Sequence, residues 1–246
     1  MNRKSILSLL LLFLCTFGVQ AEEYETTSPN GTLKIKLRVD NGTTYEVWHG
    51  DKQLIAPSSI GLNLSNGTIV GGGTVKSTTT NHVDQTIDVV AGKNKTLREA
   101  YNELLISFNE NYDLLVRAYD EGIAYRFITR LDGEIIINSE DAVFNFTSTP
   151  TIYFPECDTN YSDQQGKVHQ IHQGYRNFER LYKTYNAPTD ITNNRFSVSP
   201  VLFSYPDTPY KIVVTESDTY DYPGLYMEQN GVNSMRGKWA QYPKEV

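Results

Sequence analysis

Cysteine is nearly absent from this chain of 246 residues, which holds only Cys15 and Cys157. Both cannot remain in the mature protein. Asn2-Arg3-Lys4 is a basic start, Ile6 to Phe17 an apolar stretch, and Val19-Gln20-Ala21 a small-residue cleavage site before Glu22. That is the pattern of a secretory signal peptide over residues 1–21, and its removal takes Cys15 with it. Leu14 is too large for the residue before a lipid-modified cysteine, so a lipid anchor is not expected. Cys157 is then alone, which excludes an intrachain disulfide, and no triad motif around it marks it as a nucleophile. An exported fold without disulfides must be held by its core, and residues 22–246 are long enough for one large β domain. Cationic charge is also short, with 22 Lys and Arg against 29 Asp and Glu. Cleavage removes Arg3 and Lys4 and no acid, moving the net charge from −7 to −9. Such a domain is a poor partner for nucleic acid or an anionic membrane surface. The apolar stretch near the start falls short of the roughly 20 residues that span a bilayer, and no later segment is apolar enough. No amphipathic helix of convincing length occurs either.

What is present is strand grammar. Tyr101 to Phe127 reads at period two as three strands: Leu104-Ile106-Phe108, Leu114-Val116-Ala118 and Ile123-Tyr125-Phe127. Asn109 to Tyr112 and Asp120-Glu121-Gly122 are the turns. Alternation of this kind buries one face of each strand and wets the other, which describes an antiparallel meander. Ser28-Pro29-Asn30-Gly31 turns into Leu33, Ile35, Leu37 and Val39, and Asp40-Asn41-Gly42 signals a tight hairpin into Tyr45 and Val47. Gly61-Leu62-Asn63-Leu64 with Asn66-Gly67, then Ile135-Ile136-Ile137, then Val143, Phe144 and Phe146 supply further strands. Gly71-Gly72-Gly73 lacks the Gly-Lys-Ser/Thr ending of a phosphate loop and any following helix, so a flexible loop is expected there. This density of strands points to an all-β sandwich. Seventeen tyrosines suit half-buried strands, and their hydroxyls are also able to contact sugars.

Ser148 to Asn194 departs from that grammar, with few aliphatics and two close histidines, His169 and His172. A long polar loop is expected, and long loops in compact domains are usually functional. Strands resume at Val201-Leu202-Phe203, Ile212-Val213-Val214 and Leu225-Tyr226-Met227. Met235 to Val246 closes no obvious hairpin, so the sheet is expected to be cut short at its C-terminal end.

Several segments share an order with one known family. Ser28-Pro29-Asn30-Gly31 resembles its opening SPDG turn, and Pro57-Ser58-Ser59-Ile60-Gly61-Leu62 its PSPLGL segment. Tyr101-Asn102-Glu103-Leu104, followed by Asp120-Glu121-Gly122-Ile123-Ala124-Tyr125-Arg126-Phe127, is the strongest match. Thr215-Glu216-Ser217-Asp218 with Tyr222-Pro223-Gly224-Leu225-Tyr226 is similar to its EADLxDYxGMxL region. Residues 22–246 thus resemble the N-terminal domain of glycoside hydrolase family 97, which contains bacterial α-glucosidases and α-galactosidases. The resemblance implies a β-supersandwich of the galactose-mutarotase type that packs on a catalytic (β/α)₈ barrel. It also implies a bacterial, periplasmic setting and an α-glucoside or α-galactoside glycan as substrate of the whole enzyme. The catalytic carboxylate pair would lie on the barrel, which these 246 residues do not contain, so this chain alone is expected to be inactive.

The same resemblance implies that one glutamate of the domain helps hold Ca²⁺ beside the substrate. Glu179, in Phe178-Glu179-Arg180-Leu181-Tyr182-Lys183, is the best match, following a segment Phe154-Pro155-Glu156-Cys157-Asp158 that is loosely similar to IPGDYD. Ca²⁺ takes six to eight oxygens, so a carboxylate delivered across a domain boundary ties assembly to catalysis. The structural alternative is a surface pair of Glu179 with Arg176 or Arg180, which contributes little. His169 and His172 have no third and fourth ligand for zinc nearby. Glu156 and Asp158 are close in sequence, which says little about their separation in space. Two other functions remain open: a glycan-binding module without catalysis, and a mutarotase-like epimerase, for which fold analogy alone is no warrant.

Overall fold

The computed structural model of the chain describes residues 22–157, 160–162, 165, 168–170, 182–193, 195–220 and 222–239. The first strands are β1 (Glu22–Thr27), β2 (Leu33–Val39), β3 (Thr43–His49), β4 (Lys52–Leu64) and β5 (Ile69–Val70). Four more follow: β6 (Val75–Asp88), β7 (Thr96–Phe108), β8 (Tyr112–Tyr119) and β9 (Gly122–Thr129). Then come β10 (Ile137–Phe146), β11 (Thr151–Phe154), β12 (Asn160–Ser162), β13 (Val168–Gln170) and β14 (Lys183–Tyr185). The last are β15 (Phe196–Val198), β16 (Val201–Ser204), β17 (Lys211–Val214), β18 (Leu225–Gln229) and β19 (Ser234–Trp239). A single 3₁₀ turn at Pro188–Asp190 is the only helical piece among the described residues.

One nine-stranded sheet runs β1-β2-β3-β4-β10-β19-β18-β15, with β5 paired to β4. Two four-stranded sheets, β6-β7-β8-β9 and β14-β11-β16-β17, supply the second layer, and β12 and β13 form a separate pair. All pairings are antiparallel. Strand β2 shows why the layers form: Leu33, Ile35, Leu37 and Val39 are buried while Lys34, Lys36 and Arg38 between them are not. One core joins all three large sheets. Ile35, Tyr45, Leu62 and Met235 come from the nine-stranded sheet, Leu104, Ile106 and Val116 from one small sheet, and Ile152, Val201 and Phe203 from the other. Fully burying each such side chain is worth about 1.5–3 kcal/mol, so this shared core holds the fold without a disulfide. The architecture is the expected all-β sandwich.

The meander from Tyr101 to Phe127 is present as β7, β8 and β9, and the Asp40-Asn41-Gly42 hairpin joins β2 to β3. Four local readings need correction. Gly71-Gly72-Gly73 is a packed crossover between the layers rather than a flexible loop. The Thr43 hydroxyl donates to the Gly71 carbonyl at 2.5 Å, and the Tyr112 hydroxyl to the Gly72 carbonyl at 2.5 Å. Gly71 and Gly73 take φ of 100° and 148°, and any side chain at Gly72 would collide with the Asn41 carbonyl. Ile135 and Ile136 precede a single bulged strand, β10, instead of forming one of their own. Ser148 to Asn194 is not one long loop, since it contains β11, β12, β13 and β14. Finally, Ser234–Trp239 does close a hairpin: β19 pairs with β18 and lies inside the large sheet, between β18 and β10.

Strands β6 and β7 extend past the rest of their sheet. The pairing of β7 with β8 ends at Tyr101↔Tyr119, whereas β6 and β7 continue to Asp88↔Thr96. The outer five pairs make an arm of about 17 Å, with no third strand among the described residues. Its bidentate Arg98–Asp84 pair, 2.7 Å per contact, is exposed and adds little. Two-stranded ribbons are marginal alone in water. Amide hydrogens of Thr96–Ala100 should therefore exchange on the order of 100-fold faster than those of Tyr101–Ser107. Equal protection across Ala100 and Tyr101 in a hydrogen-exchange experiment would contradict this account of the arm.

Candidate functional site

The polar segment of the sequence begins where β11 ends. Phe154 is fully buried, and the chain then carries Glu156 and Cys157 inward, at 5% and 2% exposure. Glu156 bridges to Ser197 of β15, and the Cys157 amide donates to the Phe196 carbonyl at 2.8 Å. These contacts pin the strand end between the smaller sheet and the edge of the large one. A carboxylate placed here must be satisfied or neutralised, because burial of an unpaired charge is costly.

Glu156 is satisfied by three donors. Oε1 accepts from Lys183 Nζ at 2.5 Å and lies 3.5 Å from Arg195 Nη1, while Oε2 accepts a short hydrogen bond from the Tyr185 hydroxyl. Burial, then the bond to Glu156, pushes the Tyr185 phenol up to about 12. Lys183 and Tyr185 stand on β14, and Tyr185 packs edge-on against Phe154 at 5.8 Å. Glu156 and Lys183 therefore tie the chain just past β11 to β14. With both oxygens engaged by cationic or phenolic donors, Glu156 is a structural clamp and not a free acid, base or metal ligand. Cys157 is buried against Phe196, Val198 and Tyr226, which agrees with the structural role expected for it.

Glu179, the expected calcium ligand, lies outside the described residues, as do Asp158, His172, Arg176 and Arg180. The backbone of His169 pairs with Tyr161 across β12 and β13. Among the described residues no group of three or more His, Cys, Asp and Glu could hold a metal ion. Glu156, the buried carboxylate of the clamp, is already committed to Lys183, Tyr185 and Arg195.

A second polar cluster was not anticipated from the sequence. Glu140 of β10 accepts from the Tyr222 hydroxyl at 2.5 Å. Glu216 accepts from the Leu225 amide at 2.6 Å, and Asp218 meets Arg126 of β9 at 3.3 Å. These three contacts strap residues 215–220 and 222–224 onto the sandwich. Burial raises the Glu140 carboxyl to about 7, the Tyr222 bond opposes the rise, and Glu216 and Asp141 add to it. Burial beside Glu140 also pushes the Tyr125 phenol far up. The only sequence signal was Tyr222-Pro223-Gly224-Leu225, which marked a family likeness without saying what the tyrosine binds.

Comparison with known proteins fits this geometry. The family model for the glycosyl hydrolase 97 N-terminal domain matches residues 26–244. A retaining α-galactosidase of Bacteroides thetaiotaomicron is 31% identical over 246 residues, covering 99% of this chain and 36% of that enzyme. A family 97 enzyme from Pseudoalteromonas sp. strain K8, solved with acarbose, superposes with a TM-score of 0.70 at 17% identity, over 88% of this chain and 32% of that one. A β-arabinopyranosidase gives 0.71 at 18% identity, over 89% and 35%. At such identities the two solved structures speak for the fold alone. The chain spans about a third of the length of these relatives. This chain belongs to glycoside hydrolase family 97 and is an N-terminal domain of that family.

Proposed function

We propose that this chain is the N-terminal β-sandwich domain of an exported, periplasmic α-glycosidase, and that it serves by packing on a (β/α)₈ catalytic barrel and lending Glu179 as a Ca²⁺ ligand beside the glycan substrate. The observation that carries this reading is the family match over residues 26–244 in a chain that spans 36% of its α-galactosidase relative. That relative supports an α-galactoside ahead of an α-glucoside as the glycan of the whole enzyme. The clamp of Glu156, Lys183, Tyr185 and Arg195 supports the rest. It fixes the described residues on either side of the part of the chain that carries Glu179, giving that part a rigid base. Ca²⁺ bound there would screen charge and orient substrate hydroxyls. Glu179 would supply one oxygen of its six to eight, with the remaining ligands on the barrel or from water.

Hydrolysis of a glycosidic bond needs two carboxylates flanking the scissile atom. Glu156 is saturated by its donors, and Glu140 is tied to Tyr222. Neither is offered as half of such a pair. Purified residues 22–246 should therefore give no turnover of aryl α-galactosides or α-glucosides. Turnover by this fragment that Glu179→Ala abolishes would overturn the proposal.

A further inference from the structure

The sheet β14-β11-β16-β17 has one face in the core, through Ile152, Phe154, Val201, Phe203 and Val214. Its other face carries a row of apolar side chains. Tyr153 of β11 is the register partner of Leu202 of β16, which is the partner of Val213 of β17. In-register partners across antiparallel strands stand side by side, so these three form a continuous ridge. Tyr182 and Pro200 flank it, and the five together line a shallow cleft of about 340 Å³. Tyr153, Tyr182 and Val213 are 38%, 56% and 57% exposed. Exposed apolar groups scattered singly need no explanation, but a contiguous group of this kind marks an interaction site.

We infer that this ridge is the surface by which the domain docks on the catalytic domain of its family. The inference rests on the reading above, that the chain works joined to such a domain. Its own support is twofold. Two-thirds of the length of each matched relative lies outside the part this chain covers, so a large covalent neighbour is available in that architecture. Among the described residues, no charged or amide side chain lines the cleft. A glycan needs such groups for its hydroxyls, whereas an apolar patch on another domain does not. Inter-domain interfaces commonly bury about 600–1,500 Å², and an apolar ridge across three strands is a suitable centre for one.

Hydroxyl-radical footprinting tests this. Label the 246-residue chain alone, and in a polypeptide where it replaces the matching 36% of the Bacteroides thetaiotaomicron α-galactosidase. Labelling of Tyr153 and Tyr182 should fall several-fold on joining, and Val213→Glu should restore it. The same substitution should leave the thermal midpoint of the isolated chain unchanged, because Val213 is exposed. Protection elsewhere on the chain, with Tyr153 and Tyr182 unchanged, would overturn the docking surface and leave the proposed function standing. No protection anywhere would overturn both. Protection of the isolated chain by raffinose or maltoheptaose would make the ridge a glycan platform and reject the inference.

Discussion

Replacing Glu156 by alanine should destabilise the domain by about 2–4 kcal/mol, the largest effect expected of any single polar substitution here. Glu156 is 3% exposed in its side chain and binds Lys183, Arg195 and Tyr185 at once. The loss comes mainly from stranding the Tyr185 hydroxyl and from the void left where the buried carboxylate stood. Lys183 and Arg195, with 57% and 37% of their side chains exposed, can turn to water, which keeps the cost below that of a fully buried pair. Lys183→Met should cost only about 1 kcal/mol, because Tyr185 and Arg195 still satisfy the carboxylate. Chemical denaturation at neutral pH measures both. Equal losses from the two substitutions would contradict the assignment of Glu156 as the hub.

Stability should also fall as pH rises from about 5 to about 7.5, and Glu140→Gln should remove that slope. The folded carboxyl of Glu140 is raised to about 7 from an ordinary 4.5, chiefly by burial. The folded state then binds more protons than the unfolded state between those values, so each pH increment favours unfolding. Above about pH 7 the full penalty, up to about 3 kcal/mol, is present, and below about pH 4.5 it is gone. Tyr222→Phe should steepen the loss, because the hydroxyl is what eases the carboxylate's charge in the fold. Denaturation midpoints from pH 5 to 8 decide it. A stability that rises through this window in the wild type and is unaltered by Glu140→Gln would refute the assignment.

The strands that alternate were legible in the sequence, since Leu33 to Val39 and Leu104 to Phe108 bury every second residue. Strand β6 was not, because Lys76 to Asn81 is exposed on both faces and shows no alternation; only β-branched Thr78, Thr79 and Thr80 hint at it. The short strands β11 and β14 hid in a polar stretch because three or four residues are too few to show a period. Their place is set by partners far along the chain, such as Phe203 opposite Ile152. The clamp was hidden for the same reason. Glu156 and Arg195 are 39 positions apart, and nothing local says that a carboxylate beside Cys157 turns inward to meet an arginine. Glu140 and Tyr222 are 82 apart. The family likeness carried what patterning could not, namely the kind of enzyme to which such a domain belongs.

The calcium role of this domain is decided by a calcium titration of α-galactoside hydrolysis by the joined polypeptide described above, with Glu179 intact and with Glu179→Gln. The substitution should lower activity and shift half-activation to higher calcium. Superimposable curves for the two forms would contradict it, and the domain would then contribute no ligand to the active site.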